Sequence, residues 1–176
     1  MNPLQAPRRH DDLLNYRLKR LLTLGGAPAI RLCEGGYGIT RLEWRLLAAL
    51  VESGPMSSSE LARHAHVDPG RVSLRLRRLV AKALVRRDPG GPGRTRAAIA
   101  ATADGHVLYQ SLWPQLAEIN SRLAAALDDA EAEMLDRCLA KLTACAQRIH
   151  DAGGGVDVKS DRRHGGSRRF WSEEIE

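Results

Sequence analysis

The residues best suited to chemistry in this chain are cations, and most of them lie in one block. Residues 57–96 contain ten Lys and Arg against three Asp and Glu, a net charge of +7, whereas the rest of the 176-residue chain sums to −1. Arginine donates paired hydrogen bonds to phosphate and to the edge of guanine. The block therefore indicates binding to a polyanion, with a solvated basic face that has no partner as the alternative.

Catalytic and metal-binding chemistry finds little support in the sequence. The six histidines never cluster with Cys33, Cys138 or Cys145, so no zinc-binding spacing is present. The glycine-rich run that ends at Gly93 has no Walker lysine. We therefore expect no enzyme activity, no metal and no cofactor. Three widely spaced cysteines fit reduced thiols better than disulfides, and cysteine-based redox sensing stays open as an alternative.

Composition and hydropathy predict a folded cytoplasmic protein that does not contact a membrane. Hydrophobic residues make up 43% and charged residues 27% of the chain, which is enough to build a core. The longest apolar run, Leu46–Val51, falls far short of the roughly 18–20 residues that a membrane span needs. The first twelve residues lack the apolar stretch of a signal peptide.

Two capping boxes predict successive helices just before the cationic residues. Thr40 and Glu43 form the first box, and apolar residues on either side can staple the start of that helix. Ser57 and Glu60 form the second box, which opens a short helix of about 58–65.

A third helix should follow after a turn of about three residues. Asp68 can cap it and Pro69 suits its first position, so we expect a helix from Pro69 to about Ala83. Because the turn is so short, the two helices must meet at a steep angle, which is helix-turn-helix geometry. His66 lies where such turns require a positive φ, and we interpret it as a turn residue.

This third helix separates into an apolar and a cationic face. The spacing predicts one buried stripe, formed by Val72, Leu76, Leu79 and Ala83. The adjacent face carries Arg71, Arg75, Arg78 and Lys82, with Ser73 and Arg77 beside them. Like charges so close together repel one another, so the face is better suited to phosphates and guanine edges than to stabilising the helix.

A basic hairpin is predicted after the third helix. Two short extended segments, 84–87 and 94–100, flank a Pro/Gly-rich turn. A flexible basic hairpin beside a recognition helix is suited to lying along a phosphate backbone or in a minor groove.

Together these features resemble the winged helix-turn-helix of the MarR family of bacterial transcription regulators. The resemblance covers residues 39–105 and rests on an early Trp in the first of these helices, Gly-Pro before the second cap, the run SELA, the Leu-Val that ends the recognition helix, and a Thr-x-x-Gly after the wing. Two departures stand out. Gly93-Arg94 replaces the family's Asp-Arg pair in the wing, and Leu74-Arg75 stands where the family has a polar and then an apolar residue.

The resemblance implies double-stranded DNA as a partner, bound by the recognition helix, the wing and the start of the preceding helix. The expected DNA-contacting residues are Ser57, Ser58, Arg71, Ser73, Arg75, Arg77, Arg78, Arg94 and Arg96. A winged-helix module whose basic surface meets an acidic protein is the alternative from another class of function.

The predicted fold is mainly α, a winged helix-turn-helix with long N- and C-terminal dimerisation helices. The expected parts are a flexible N-terminus 1–9, a helical dimerisation segment 10–38 interrupted near Gly25-Gly26, the DNA-binding domain 39–101, C-terminal helices 102–150 and a disordered tail 151–176. The first C-terminal helix should run from after Thr102 to about Leu127. Its apolar stripe and those of the other flanking helices exceed what the DNA-binding domain can cover, so we expect a homodimer on a pseudo-palindromic operator.

The resemblance also implies a small effector, possibly an aromatic anion, that releases a repressor from DNA. Residues expected to face it combine aromatic rings with cations: Tyr16, Arg17, Arg20, Trp44, Arg45, His106, Tyr109 and Trp113. Core packing is the alternative for Trp44 and Trp113. The implied location is the bacterial cytoplasm, at the nucleoid when bound to DNA.

Overall fold

The computed structural model describes residues 2–88 and 98–153 of the chain. Its helices and strands, in chain order, are α1 (Leu14–Gly25), α2 (Ala27–Arg31), α3 (Arg41–Ser53), α4 (Ser58–His64), α5 (Pro69–Ala81), β1 (Val85–Asp88), β2 (Ala98–Ala101), α6 (Ala103–Ala124) and α7 (Asp129–Asp151). The predicted class, mainly helical with a small winged sheet, is confirmed. The tip of the wing, with Arg94 and Arg96, and nearly all of the tail lie outside the described residues.

The N-terminal helical segment is interrupted where the glycine pair predicts it. A short 3₁₀ turn, His10–Asp12, occupies the start of the predicted segment 10–38, and regular α-helix begins only at Leu14. Gly26 separates α1 from α2, and a π-helical turn, Leu32–Gly36, follows. A Cβ at Gly26 would lie 2.5 Å from the Leu22 carbonyl oxygen, and this close approach of the backbone requires glycine.

Both predicted capping boxes form. The Glu43 amide donates to the Thr40 hydroxyl over 3.2 Å, and the Thr40 amide donates to a Glu43 carboxylate oxygen over 2.9 Å. Ser57 and Glu60 repeat this exchange at the start of α4. Because these side chains satisfy backbone N–H groups that have no partner within the helix, each helix begins at a defined residue.

The recognition helix α5 begins as predicted but ends two residues early. Asp68 accepts a hydrogen bond from the Arg71 amide over 3.2 Å, and Pro69 occupies the first turn. The helix stops at Ala81 because Ala83 adopts a left-handed conformation, with φ of 56°. Ala83 is consequently exposed, and its predicted place in the buried stripe is wrong. His66, with φ of 49°, is confirmed as the positive-φ residue of the turn.

The wing contains a two-stranded antiparallel sheet. β1 pairs with β2 in the register Val85↔Ala101 to Asp88↔Ala98. Met56, which precedes α4, adds an isolated bridge to Ile99. The helix-turn-helix and the wing are thus joined by backbone hydrogen bonds at the base of the hairpin.

The core lies between α3, α4, α5, the strands and the first half of α6. Its least exposed side chains are Ile39, Leu46, Leu47, Leu61, Val72, Leu76, Leu79, Val85 and Leu112, together with Cys33. The predicted stripe of α5 is therefore buried up to Leu79. This packing fixes the face of α5 that points away from the core.

The Thr-x-x-Gly at the start of α6 serves a packing role. The Thr102 hydroxyl caps α6 at the Gly105 amide over 3.1 Å and also donates to the carbonyl of Ala83 over 2.6 Å. A Cβ on Gly105 would overlap the Leu84 carbonyl oxygen and lie 3.1 Å from Leu47. Glycine therefore lets α6 approach the residues that follow α5. The helix contains Pro114 and ends at Ala124, three residues short of the expected end.

The chain divides into two compact units, 1–125 and 126–176. In the second unit, α7 begins at a capping box formed by Asp128 and Glu131. None of its residues is buried, and its apolar side chains, among them Leu135, Leu139, Leu142 and Ile149, are exposed. None of the helices in the described residues is both long enough and apolar enough to cross a membrane.

Candidate nucleic-acid interface

Three arginines point away from the core along α5. Arg71, Arg77 and Arg78 are exposed, and we call them the exposed trio. Within residues 2–88 and 98–153, no carboxylate lies within ion-pairing distance of any of them. Ser73 is exposed on the same helix. The helix thus presents three uncompensated guanidinium groups to solvent, which is the donor set that phosphates and guanine edges require.

The other two cations of the predicted face, Arg75 and Lys82, converge on the buried carboxylate of Glu43 in α3. The Lys82 Nζ lies 2.9 Å from Glu43 Oε2, and the Arg75 Nη1 lies 3.9 Å from Oε1. The Lys82 Nζ also donates to the Gly38 carbonyl over 2.8 Å. The side chain of Glu43 is 0% exposed and that of Arg75 only 25%. We call Arg75 and Lys82 the anchored pair, because they attach α5 to the start of α3.

Glu43 is held ionised by this arrangement. Burial alone would raise the pKa of its carboxyl group, but the Thr40 amide, the Lys82 ammonium and the Arg75 guanidinium outweigh burial and lower it. Oε1 has no hydrogen-bond partner among the described residues, and the Arg75 Nη1 lies 3.9 Å from it. Because a buried carboxylate is costly without cations, Glu43 and the anchored pair depend on one another.

The predicted cationic face is therefore two surfaces with different partners. We expected one row in Arg71, Arg75, Arg78 and Lys82, and the structure places two of these against Glu43. The capping box accounts for Glu43 within its own helix and gives no sign of this second role. A helical wheel that showed Arg75 and Lys82 beside the apolar stripe was the available signal.

The remaining predicted DNA contacts lie at the start of α4 and in the wing. Ser57 and Ser58 are half-buried, and the Ser57 hydroxyl donates to Glu60 over 2.7 Å within the cap. Arg94 and Arg96 lie outside the described residues. Contacts from these four residues to DNA stay predictions.

Three of the predicted effector residues form an aromatic stack between α3 and α6. The ring centroids of Trp44 and Tyr109 are 5.3 Å apart, and those of Tyr109 and Trp113 are 6.1 Å apart, both nearly parallel. Trp44 is buried, whereas Trp113 is half exposed. The Tyr109 hydroxyl donates to Glu52 over 2.7 Å, and burial, followed by this carboxylate, raises the pKa of Tyr109 to about 12.

The other predicted effector residues do not join this stack. Tyr16 contacts His10, with centroids 4.2 Å apart, while Arg17 and Arg20 are exposed on α1. His106 is exposed on α6, and Arg45 donates to the Ala65 carbonyl at the end of α4.

An open hollow of about 420 Å³ lies elsewhere between the π-helical turn and α6. It is lined by Leu32, Pro114, Gln115, Glu118 and Ile119, none of which the sequence analysis selected.

The cysteines are in unlike surroundings. Cys33 is fully buried, and burial raises the pKa of its thiol, which keeps it protonated and unreactive. Cys138 and Cys145 lie seven residues apart on α7, about 10 Å along its axis, too far for an intrachain disulfide. Cys138 is exposed and Cys145 is half-buried, so redox sensing by these two thiols stays a prediction.

A comparison with protein families identifies the winged helix. Residues 37–95 match the model of the MarR family named MarR_2. The matched segment contains α3, α4, α5 and β1 and reaches into the wing. Among curated proteins, no sequence matches this chain.

Solved structures share the fold over most of the chain. A probable transcriptional regulator from Pseudomonas aeruginosa is 25% identical, with a TM-score of 0.67, over 76% of this chain and 99% of that one. BpsR of Bordetella bronchiseptica, whose DNA binding is regulated by 6-hydroxynicotinic acid, is 20% identical, with a TM-score of 0.69, over 78% and 97%. MepR of S. aureus, solved in complex with DNA, is 21% identical, with a TM-score of 0.67, over 78% and 99%.

Proposed function

We propose that this chain, in which residues 37–95 match the MarR family model, binds double-stranded DNA sequence-specifically, as a homodimeric repressor that a small effector releases. The observation that carries this proposal is the exposed trio, Arg71, Arg77 and Arg78, on a helix whose opposite side is held in the core. Such a helix enters a major groove as a rigid body with its cations already oriented.

The dimensions and charge of α5 suit this role. Thirteen residues span about 20 Å, and the N-terminal part of a recognition helix contacts base edges. Arg71 lies in that first part, and Arg77 and Arg78 both follow about two turns later. In the unbound protein Arg75 is directed to Glu43, so we assign it to positioning the helix, and a base contact from it stays a prediction.

A second copy of the chain is the proposed partner of the exposed apolar helices. Leu135, Leu139 and Leu142 recur at helical spacing on α7, and Leu21, Leu22 and Leu24 are exposed at the end of α1. Burying these side chains between two chains removes apolar surface from water. Twofold pairing also presents two recognition helices to successive major grooves, about 34 Å apart.

An aromatic acid is the proposed effector class. The stack of Trp44, Tyr109 and Trp113 has a half-exposed outer ring against which a flat molecule can pack. Regulation of BpsR by 6-hydroxynicotinic acid, an aromatic acid, supports the same class here. Arg17 and Arg20 are exposed on α1 and do not join the stack, so a contact from them to the carboxylate stays a prediction.

Selection from random double-stranded DNA tests the central proposal. We expect a symmetric enriched motif, with a log–log salt slope that steepens by about 0.9 for each phosphate that is neutralised. The absence of any enriched motif would contradict sequence-specific binding and favour the protein-interaction module.

Sedimentation of the same protein tests the oligomeric state. At micromolar concentration we expect twice the 19.3 kDa mass of one chain. A monomeric mass would contradict the homodimer.

A further inference from the structure

One exposed apolar side chain stands in the middle of the cationic surface of α5. Leu74 is 44% exposed and is not part of the hydrophobic core cluster. It lies two residues after Val72 and two before Leu76, about half a turn from each, so it points opposite to the buried stripe. Leu74 thus marks the centre of the surface that faces outward.

All three members of the exposed trio are neighbours of Leu74 on the helix. Arg71 lies three residues before it, and Arg77 and Arg78 lie three and four residues after it. Side chains at these spacings are adjacent on a helix surface. Most other exposed large apolar side chains of the described residues lie on α1, α6 and α7. Leu74 is therefore an apolar patch one residue wide, enclosed by guanidinium groups.

This arrangement matches the major groove better than it matches a protein surface. Cations that surround the patch can reach phosphates and guanine edges on either side, while a short leucine stays at the level of the base edges. The apolar group that a base presents there is the C5-methyl of a pyrimidine. A protein partner would more typically meet a broader apolar patch.

We propose that Leu74 determines specificity by packing against the C5-methyl group of a pyrimidine in the operator half-site. The inference rests on the proposed function, because it takes α5 to be the helix that enters the groove. Thymine carries this methyl in ordinary DNA, and 5-methylcytosine carries it in methylated DNA. The contact involves no hydrogen bond, so its contribution comes from removing the methyl group from water.

Replacement of thymine by deoxyuridine tests the contact, because it removes only the methyl group. The probe is the duplex that random selection yields, with each thymine replaced in turn in both half-sites. For the unmodified protein we expect one replacement to weaken binding about fourfold per half-site, the value for burying one methyl. In Leu74→Ala the same replacement should leave the Kd unchanged.

Val80→Ala is the matched control. Val80 is the other exposed large apolar residue of α5, and it lies near the end of the helix, to the side of the trio. This variant should keep the full sensitivity to deoxyuridine. Circular dichroism should show Leu74→Ala folded, since the side chain that it removes is exposed and outside the core.

A second arm identifies the source of the methyl group. Cytosines of the half-site are replaced by 5-methylcytosine one at a time. A gain in affinity that Leu74→Ala abolishes would support the same contact with methylated DNA.

The outcomes separate the two proposals. Failure of the unmodified protein to bind any duplex sequence-specifically would overturn the proposed function. Specific binding that no methyl removal or addition alters, or an effect that Leu74→Ala retains, would overturn the role of Leu74 alone.

Discussion

The two sides of α5 carry the same residue types and are used in opposite ways. The anchored pair, Arg75 and Lys82, surrounds Glu43, whereas the exposed trio has no carboxylate within ion-pairing distance among the described residues. The difference is due to the buried carboxylate of Glu43, because its ion pairs with Arg75 and Lys82 join α5 to α3. The positive charge of α5 is therefore divided between attaching the helix to α3 and facing solvent. Each side should therefore respond to a different measurement.

The largest effect on stability should come from the contact between the start of α6 and the residues that follow α5. In Gly105→Ala, the new Cβ would overlap the Leu84 carbonyl, so α6 must move away from the residues that follow α5. We expect the free energy of unfolding to fall by about 3 kcal/mol, measured by urea denaturation. Gly35→Ala is the control, since a Cβ there meets nothing within 4 Å. Equal stability of the two variants would show that this close approach does not hold α6.

Removing one member of the anchored pair should cost stability. Lys82→Met keeps most of the aliphatic stem but leaves Glu43 buried with only the more distant Arg75 charge. We expect a loss of about 2 kcal/mol in the free energy of unfolding, less than for a fully buried pair because Lys82 is partly exposed. Arg78→Met makes the same kind of change on the exposed side and should alter stability by less than about 0.5 kcal/mol. A similar loss in both variants would abolish the distinction between the two sides.

The exposed trio should respond in DNA binding instead. Arg77→Gln removes one guanidinium that has no ion-pair partner among the described residues, so folding stability should stay unchanged. We expect affinity for the selected duplex to fall about tenfold, or ~1.4 kcal/mol. The log–log salt slope should become shallower by about 2 per dimer if the contact is to phosphate. Unchanged affinity together with an unchanged salt slope would show that Arg77 does not contact DNA.

Stability should depend on pH through Glu43. Its pKa is lowered in the folded chain from an ordinary value of 4.5, so its contribution is present above that value and is lost as pH falls through the folded-state pKa. The difference in unfolding free energy between the unmodified protein and Glu43→Gln, about 1 kcal/mol at pH 7, should therefore shrink below about pH 4.5. Urea denaturation from pH 3 to pH 7 measures it, and a difference that grows on acidification would contradict the ion pairs.

The smallest effect is expected where α5 ends. Ala83 holds a left-handed conformation that costs a residue with a Cβ about 1 kcal/mol or more. Ala83→Gly relieves this strain but gives the unfolded chain more freedom, so we expect a net gain of about 0.5 kcal/mol. Thermal unfolding should show a slightly higher Tm, and a lower one would mean that Ala83 contributes contacts that outweigh its strain.

Local signals made much of the fold predictable from sequence. The capping boxes at Thr40 and Ser57, the Asp68-Pro69 start and the positive φ of His66 all depend on residues within a few positions of one another. Helix ends were less predictable. Ala83 continues the apolar spacing of α5, yet Thr102 and the α6 junction bind the carbonyls of Ala83 and Leu84, and they come from a distant part of the chain.

The sequence predicts which cations α5 carries, but not which of them pair with Glu43 and which face solvent. Charge and spacing identify α5 as cationic, but the partner of Arg75 and Lys82 lies more than thirty residues earlier, in a position already explained by a cap. The stack of Trp44 on Tyr109 likewise joins α3 to α6, and the sequence analysis grouped these rings only through the family resemblance. Contacts of this kind depend on the packing angle between helices, which periodicity does not encode.

The outward position of Leu74 and the exposed trio also bears on how such proteins diverge. None of these four side chains takes part in the core cluster or in the attachment to Glu43. Point changes among them should leave the folding free energy of the scaffold nearly unchanged, so the proposed DNA-contacting surface can be altered without loss of the fold.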